Sequence, residues 1–285
     1  DWIQPPDKDL PLVSTIHDLA MLKFPETAHP KLLSMHKQSW KILKQRTSQI
    51  IAVSRATKRD IIELLDIPAE RIHVIHEALP NEVVQIGESL DEEKVIQIIG
   101  KLGLTRPYLL AVGTREPRKN LERLIEAWEP LSETYDLVIA GEQGWDATSK
   151  GKKISDMQHL RLLGRVDDTQ LAALYTNAAV FCYPSLYEGF GLPILEAFYF
   201  DVPVVTSNLS SMPEIAGNAA ELVDPLSVES IREGIMTILN ESEEQRHIRR
   251  QRMVIRQHMF SWRNAAEQTA HVYQLAAVAA AEAKK

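Results

Sequence analysis

Short β-branched and apolar runs alternate with amphipathic stretches of helical period along most of this 285-residue chain. That alternation restricts the fold to layered α/β structure, with helices packed over parallel strands, because a strand covered on both faces reads as a continuous apolar run. The first run, Leu12-Val13-Ser14-Thr15-Ile16, leads into a long loop through Pro25 and Pro30, then a helix over about Lys31 to Arg46. Strand Gln49 to Val53, helix Ala56 to Leu65 with Ser54 as its cap, and strand Arg71 to Ile75 complete a three-strand series.

From about Asn81 to Glu93 the chain turns polar and acidic around Gly87, which predicts an interdomain linker. After a helix from Glu92 to Leu102 a second series begins. Its strands read Tyr108 to Val112, Asp136 to Ala140, His159 to Leu163, Val180 to Tyr183, Val202 to Thr206 and Glu221 to Val223. Helices between them start near Asn120, Asp167, Pro193 and Ser227, giving one doubly wound, six-stranded parallel unit. The predicted division is a partial first domain over residues 1–90, a complete nucleotide-binding type of domain over 91–260, and a last helix over 261–285 opened by Ser261-Trp262. The halves are unequal. Strand Leu12 to Ile16 reads as buried on both faces, yet almost no chain precedes it to cover it. The expectation is that the start of a larger domain is missing, or that a second chain completes it.

Composition narrows the function classes. A hydrophobic fraction of 45% and a charged fraction of 25% are those of a soluble globular protein. The net charge of −7 argues against a nucleic-acid backbone as partner, since phosphate binding needs clustered Lys and Arg. Lys37, Lys41, Lys44 and Arg46 share one helical segment, which is either a solvated face or a basic patch for peripheral membrane contact. No apolar stretch is long enough to span a bilayer, and the start shows no signal-peptide pattern. The single Cys182, set behind Ala178-Ala179-Val180-Phe181, excludes an internal disulfide framework and reads as a buried filler. A cytoplasmic chain, or one peripheral at the inner face of the membrane, is expected.

Two loops carry the chemistry. Gly113-Thr114-Arg115-Glu116-Pro117-Arg118-Lys119-Asn120 leaves a strand and opens a helix, where α/β sheets bind ligands. Arg115, Arg118 and Lys119 could neutralise a diphosphate, with Gly113 permitting close backbone approach; the alternative is a basic surface turn with Asn120 as a helix cap. The second loop, Tyr187-Glu188-Gly189-Phe190-Gly191-Leu192-Pro193-Ile194-Leu195-Glu196, again joins strand to helix, with Pro193 suited to the first helical position. Its free amides from Gly189 to Leu192, aided by the helix dipole, form an anion site. Glu188 and Glu196 accept hydrogen bonds only, so they can grip neutral hydroxyls on either side of that anion.

With these residues in place, the chain resembles the retaining glycosyltransferases of GT-B architecture, and among them the large family 4, or group 1, in its mannosyltransferase-like members. Glu188 and Glu196 with Gly189-Phe190-Gly191-Leu192-Pro193 between them match the family's two-glutamate motif. Glu116-Pro117-Arg118-Lys119-Asn120, Gly164-Arg165-Val166-Asp167-Asp168 and Ser210-Ser211-Met212-Pro213-Glu214-Ile215-Ala216-Gly217 match in order, so the resemblance runs from about Leu12 to the final helix. It implies two Rossmann-like domains, the first incomplete here, and a C-terminal helix from about Trp262 that crosses back to the first.

The resemblance implies roles residue by residue. Glu188 would hold a hydroxyl of the donor hexose, Gly189, Phe190, Gly191 and Leu192 would present amides to the sugar and distal phosphate, and Glu196 would bind the ribose hydroxyls. Lys119 matches the lysine on the diphosphate. The arginine that usually follows the glycine of the first loop is Thr114 here, and Arg115 or Arg118 would have to replace its charge. Val166 falls where the family contacts the nucleobase through backbone. Asp168 could accept two hydrogen bonds from guanine, or Asp167 and Asp168 could simply cap a helix. Glu214 is open in the same way, between a helix terminus and a site. Thr15-Ile16-His17-Asp18-Leu19 matches the strand-end histidine that faces the donor sugar, although a lone His after a strand is more often structural.

The reaction so implied moves a hexose of mannose or glucose type from GDP or UDP to a saccharide or lipid-linked acceptor, as in polysaccharide biosynthesis, with retention at the anomeric carbon. No metal or other cofactor is expected. Asp7-Lys8-Asp9 lies in a proline-rich start rather than at a strand end, and the nine histidines show no paired spacing on one helix face. Two rivals keep the architecture: a sugar-nucleotide epimerase, and a nucleotide-sugar-binding module inactive without an absent N-terminal segment.

Overall fold

The structure, a computed structural model, describes residues 10–27, 30–142 and 157–282; Asp7-Lys8-Asp9 lies outside them. Among the described residues, nine strands form two parallel sheets in two compact units. One unit holds the chain up to Ala78, the short segment Glu188–Phe190 and the chain from Phe260 onward; the other holds Leu79–Tyr187 and Gly191–Met259.

The first unit is built on β1 (Leu12–Ile16), β2 (Thr47–Ala52) and β3 (Ile72–Val74), paired in that order. Successive residues of β2 face opposite sides. Ile50 enters a core with Ile16 and Ile72 of the flanking strands, Leu19 and Ile67, and with Trp40, Leu43 and Ile61 from the helices that follow β1 and β2. Ile51 faces the other way, against Ile75, Ala265 and Val272. Those helices are α1 (Ala20–Lys23), α2 (Pro30–Arg46) and α3 (Arg55–Leu65), and Ala265 and Val272 lie on the final helix, α12 (Trp262–Glu282). The expected loop after β1 thus contains a helical turn. Ser54 caps α3 as its sequence position predicts, its Oγ accepting from the Thr57 amide at 3.0 Å. β1 departs from expectation: only Ser14 and Ile16 are buried, because the strand lies at the sheet edge.

The second unit opens with α4 (Asn81–Ser89) and α5 (Glu92–Lys101). The linker expected over Asn81 to Glu93 is therefore corrected: most of it is helix, and the chain passes to the second unit at Ala78/Leu79. From the sequence, Gly87 is expected within a linker. It is instead the point where α4 meets the ring of Tyr199, whose hydroxyl donates to the Val84 carbonyl at 3.0 Å, and a Cβ at Gly87 would strike that ring.

Six parallel strands follow: β4 (Tyr108–Val112), β5 (Asp136–Ala140), β6 (Leu160–Gly164), β7 (Val180–Tyr183), β8 (Val204–Ser207) and β9 (Glu221–Val223), in the order β6-β5-β4-β7-β8-β9. The direction of progression reverses between β4 and β7, and at such a switch point the loops at the strands' carboxyl ends diverge to leave a crevice. The helices of this unit are α6 (Leu121–Trp128), α7 (Asp168–Asn177), α8 (Leu192–Tyr199), α9 (Met212–Ala216), α10 (Val228–Leu239) and α11 (Glu243–His258). Leu109, Ala111, Leu124, Trp128, Leu137, Ile139, Val180, Val205, Ile231 and Ile235 form its main core. Cys182 belongs to that core and burial pushes its thiol far above the usual range, so it is the filler expected. Among the described residues no helix is long and apolar enough to cross a membrane.

Candidate functional site

Three glycines end neighbouring strands of the second unit: Gly113 after β4, Gly141 after β5, and Gly164 closing β6. Gly141 has φ of +149°, and a Cβ there would overlap the Gly113 carbonyl, so only glycine lets these two turns lie side by side. Around them a cavity of about 300 Å³ is lined by Val112, Gly113, Thr114, Gly141, Glu142, Arg165, Val166 and Leu171. Thr114 and Val166, singled out from the sequence, thus share one cavity wall. The Arg115 amide donates to the Glu142 carbonyl at 2.9 Å, tying the β4 and β5 loops together.

Asn120 organises the cationic loop. It is 3% exposed, with φ of +60°, and its side-chain amide donates to the carbonyls of Pro184 at 3.0 Å and Pro225 at 2.7 Å. The Leu186 amide donates to the Arg118 carbonyl at 2.7 Å, which ties the loops after β4 and β7 through backbone as well. Lys119 Nζ donates to the Tyr183 hydroxyl at 2.9 Å and lies 4.8 Å from that ring's centre. Arg118 is more committed than its sequence position suggests: its Nε donates to Glu116 at 2.8 Å and its Nη1 to the Tyr187 carbonyl at 3.3 Å. A guanidinium so held contributes charge from a fixed place.

At α8, Gly191 is the N-cap residue with φ of +114°, and Leu192 and Pro193 form the first two helical positions. Pro193 has no N–H and the Ile194 amide donates to the Gly191 carbonyl at 3.0 Å, so the positive end of α8 is presented by the amides of Gly191 and Leu192. One turn further in, Glu196 accepts a hydrogen bond from the Tyr175 hydroxyl at 3.0 Å. Burial holds the Glu196 carboxyl above its usual range, against the pull of that hydrogen bond. Near β6, Asp167 is the N-cap of α7 in a reciprocal box with Gln170, their side chains each accepting the other's amide at 2.8 and 3.0 Å. Asp168 lies in the first turn beside it. Of the two readings left open for this pair, capping is thus assigned to Asp167 alone. Glu214 sits in the first turn of α9, where its carbonyl accepts from Arg256.

The remaining sequence candidates fall in the first unit. His17 follows β1, and its Nδ1 lies 2.9 Å from Glu77 Oε1, a bond that raises the imidazole pKa above its usual value. Glu188 is 9% exposed. The Gly189 carbonyl accepts from Ser54 Oγ at 2.6 Å and Thr57 Oγ1 at 3.0 Å, and Thr57 also reaches the His17 carbonyl at 3.4 Å. A Cβ at Gly189 would overlap the His17 carbonyl, so glycine is required for this approach. The Phe190 ring packs tilted against His76 and edge-on to Phe260, with centroids 6.1 and 5.7 Å apart.

Sequence reasoning missed Glu77, Gly141, Tyr175 and Tyr183, and credited Ser54 with capping alone. Gly141 carried a legible signal, a glycine directly after a strand. The others act through contacts distant in sequence, such as 60 residues for His17 and Glu77. Among the described residues, no three His, Cys, Asp or Glu side chains are grouped to hold a metal ion.

Residues 92–280 match the family model described as glycosyl transferases group 1. The chain belongs to that family. Residues 2–81 match the model for glycosyltransferase family 4. Group 1 relatives include the O-antigen chain mannosyltransferase B of Escherichia coli, 35% identical over 92% of this chain and 70% of that protein. The serotype-specific mannosyltransferase WbdA of Escherichia coli is 29% identical over 78% of this chain but only 28% of its own length. In fold, the chain is similar to Anabaena HepE, solved in complex with UDP-glucose, with a TM-score of 0.76 and 17% identity over 93% of this chain and 72% of that one. Two Rossmann-like sheets and a final helix returning to the first unit are the GT-B architecture expected from the sequence.

Proposed function

We propose that this chain binds a nucleotide diphosphate sugar and serves in retaining, metal-independent transfer of a mannose-type hexose to a saccharide or lipid-linked acceptor. The observation that carries the reading is a set of three hydrogen bonds between the loops after β4 and β7. With these loops tied, Lys119 and the first amides of α8 lie at the same end of two adjacent parallel strands. A cation and a helix N-terminus at a switch point together suit a diphosphate. The mannose assignment draws on the mannosyltransferase relatives; GDP and UDP are the bases to be compared.

In this reading the bond from the anomeric carbon to the phosphate oxygen breaks and its electron pair leaves with the diphosphate. Lys119, with Arg118 fixed beside it, and the amides of Gly191 and Leu192 meet the charge that grows there, stabilising the transition state more than the ground state. No metal is needed for that charge. Glu188 holds a hexose hydroxyl, His17 faces the sugar as it becomes oxocarbenium-like, and Glu196 takes the ribose hydroxyls. The acceptor hydroxyl attacks from the face the phosphate leaves, and the departing phosphate oxygen takes its proton, so no protein base is required. In this reading the protein works in the cytoplasm, or peripherally at the inner face of the membrane where a lipid-linked acceptor would lie.

Calorimetric titration of the chain with GDP, UDP and ADP, beside the Glu196→Ala and Lys119→Ala variants, tests the reading. One nucleotide should bind saturably and more weakly to both variants. A folded chain that binds none of the three sinks it.

A further inference from the structure

Glu196 does not stand alone. Its Oε2 is met by the phenol of Tyr175 at 3.0 Å, and Tyr175 is 1% exposed, so this hydroxyl is spent on the carboxylate and not on solvent. The phenol ring is fixed from two sides. Phe200 stacks on it with centroids 5.8 Å apart and planes 6° from parallel, and Phe181 meets it edge-on at 5.2 Å. A buried aromatic ring held between two others has one accessible rotamer, so its hydroxyl is a fixed point. Tyr175 also lies on α7, the helix whose first turn carries Asp168 and whose N-cap follows Val166 in the cavity wall. One rigid helix therefore links the cavity wall to Glu196.

We propose that Tyr175 is a positioning residue for nucleotide recognition: its phenol fixes the Glu196 carboxylate in place, so that it can accept both hydroxyls of a ribose diol. This rests on the reading of Glu196 as the ribose ligand. An ionised carboxylate accepts a hydroxyl of a cis-diol at each oxygen, whereas protonation turns one oxygen into a donor and weakens that two-point grip. Burial works against ionisation of Glu196, the Tyr175 hydrogen bond works for it, and the charge of Asp168 works against it. These two side chains of α7 are the groups acting on the carboxyl, with Tyr183 of β7 acting on Tyr175. Taking away the phenol oxygen removes that favourable influence. The carboxyl then titrates at a higher pH, and nucleotide binding is lost earlier as the solution is acidified.

The test compares the chain with its Tyr175→Phe and Glu196→Ala variants. Each is titrated with the preferred nucleoside diphosphate and its 2′-deoxy analogue across a series of pH values. Tyr175→Phe removes one atom from a packed site, and a thermal melt checks that the variant stays folded. The expected result is a ribo-to-deoxyribo preference reduced by about tenfold or less in Tyr175→Phe, as for loss of one charge-assisted bond. The acid midpoint of binding should also move upward and the deficit shrink at alkaline pH. Glu196→Ala should lose both the preference and the midpoint. A carboxyl ¹³C signal, assigned by its absence in Glu196→Gln, should titrate higher in Tyr175→Phe even without nucleotide. If Tyr175→Phe keeps the wild-type preference, midpoint and carboxyl titration while Glu196→Ala loses the first two, the positioning role alone is overturned. If Glu196→Ala keeps the preference, the ribose reading fails and the role of Tyr175 fails with it.

Discussion

The side-chain oxygen of Ser54 lies 2.6 Å from the carbonyl oxygen of Gly189, 135 residues away in sequence. Thr57, one turn along the same helix, donates to the same carbonyl, and both hydroxyls are fully buried. Ser54 thus does two things at once, since its oxygen also accepts the Thr57 amide that starts α3. Removing both donors leaves a buried carbonyl without them, which costs about 1–3 kcal/mol. The Ser54→Ala/Thr57→Val double variant should therefore unfold at lower urea than the parent, and by more than the Thr57→Val variant alone. Equal midpoints for parent and double variant would show that this clamp adds nothing to stability.

A Lys119 variant tests charge recognition apart from recognition of the rest of the nucleotide, in the proposed reading. The Lys119 ammonium donates to the Tyr183 hydroxyl and lies over that ring. A cation opposite a diphosphate contributes about 1.5–3 kcal/mol, or roughly tenfold or more in affinity. Lys119→Met should weaken GDP or UDP by that factor and leave the corresponding nucleoside unaffected. Calorimetry with the two ligands reads the difference. A nucleoside weakened as much as the diphosphate would mean that the side chain supports the loop rather than the phosphate.

The two adjacent aspartates that open α7 should behave differently. Asp167 holds the capping box with Gln170, and replacing such a cap by alanine costs about 1 kcal/mol. Asp168 makes no part of that box. Asp167→Ala should lower the melting temperature while Asp168→Ala leaves it close to the parent, and only Asp168→Ala should alter the ranking of GDP over UDP if its carboxylate reads the base. A pair of variants with equal melts would remove the assignment of the cap to Asp167.

What could be read from the sequence depended on how local the cause was. The six strands of the second sheet, the capping of α3, α7 and α10 by Ser54, Asp167 and Ser227, and the opening of α12 at Ser261-Trp262 all follow from neighbours within a few residues. The helix Asn81–Ser89 was obscured because Gly87 and the acidic residues resemble a linker, while the reason for Gly87, the ring of Tyr199, is 112 positions away. The same holds at the site. Glycine after a strand and glutamate after a loop are visible in sequence, but the phenol of Tyr175 and the carboxylate of Glu77 are defined by the residues they touch. The passage of Glu188–Phe190 into the first unit could not be read locally either, because it depends on Ser54, Thr57 and His17.

The His17–Glu77 bond gives the first unit its own pH signature. Hydrogen bonding to Glu77 is the largest influence on His17, followed by burial acting downward and then by the charge of Glu77 acting upward, with a net rise above 6.5. For a histidine whose folded pKa is raised, the protonated form is favoured by folding. The stabilisation is fully present below the unfolded value, near 6.5, and is lost as pH rises through the higher folded value. The side chain is 59% exposed, so solvent screens the pair and its share of stability is small. The direct observable is the imidazole titration itself. In Glu77→Gln the raising influences of the carboxylate are gone while burial remains, so the His17 ring resonances in an NMR titration should move to a lower midpoint than in the parent. If His17 faces a developing positive sugar, as proposed, the neutral ring is the active form, so Glu77→Gln should move the acid side of the activity profile to lower pH and leave its alkaline side in place. A midpoint that stays where it was would mean that Glu77 does not control this histidine, and a shifted midpoint with an unchanged profile would place His17 outside the chemistry.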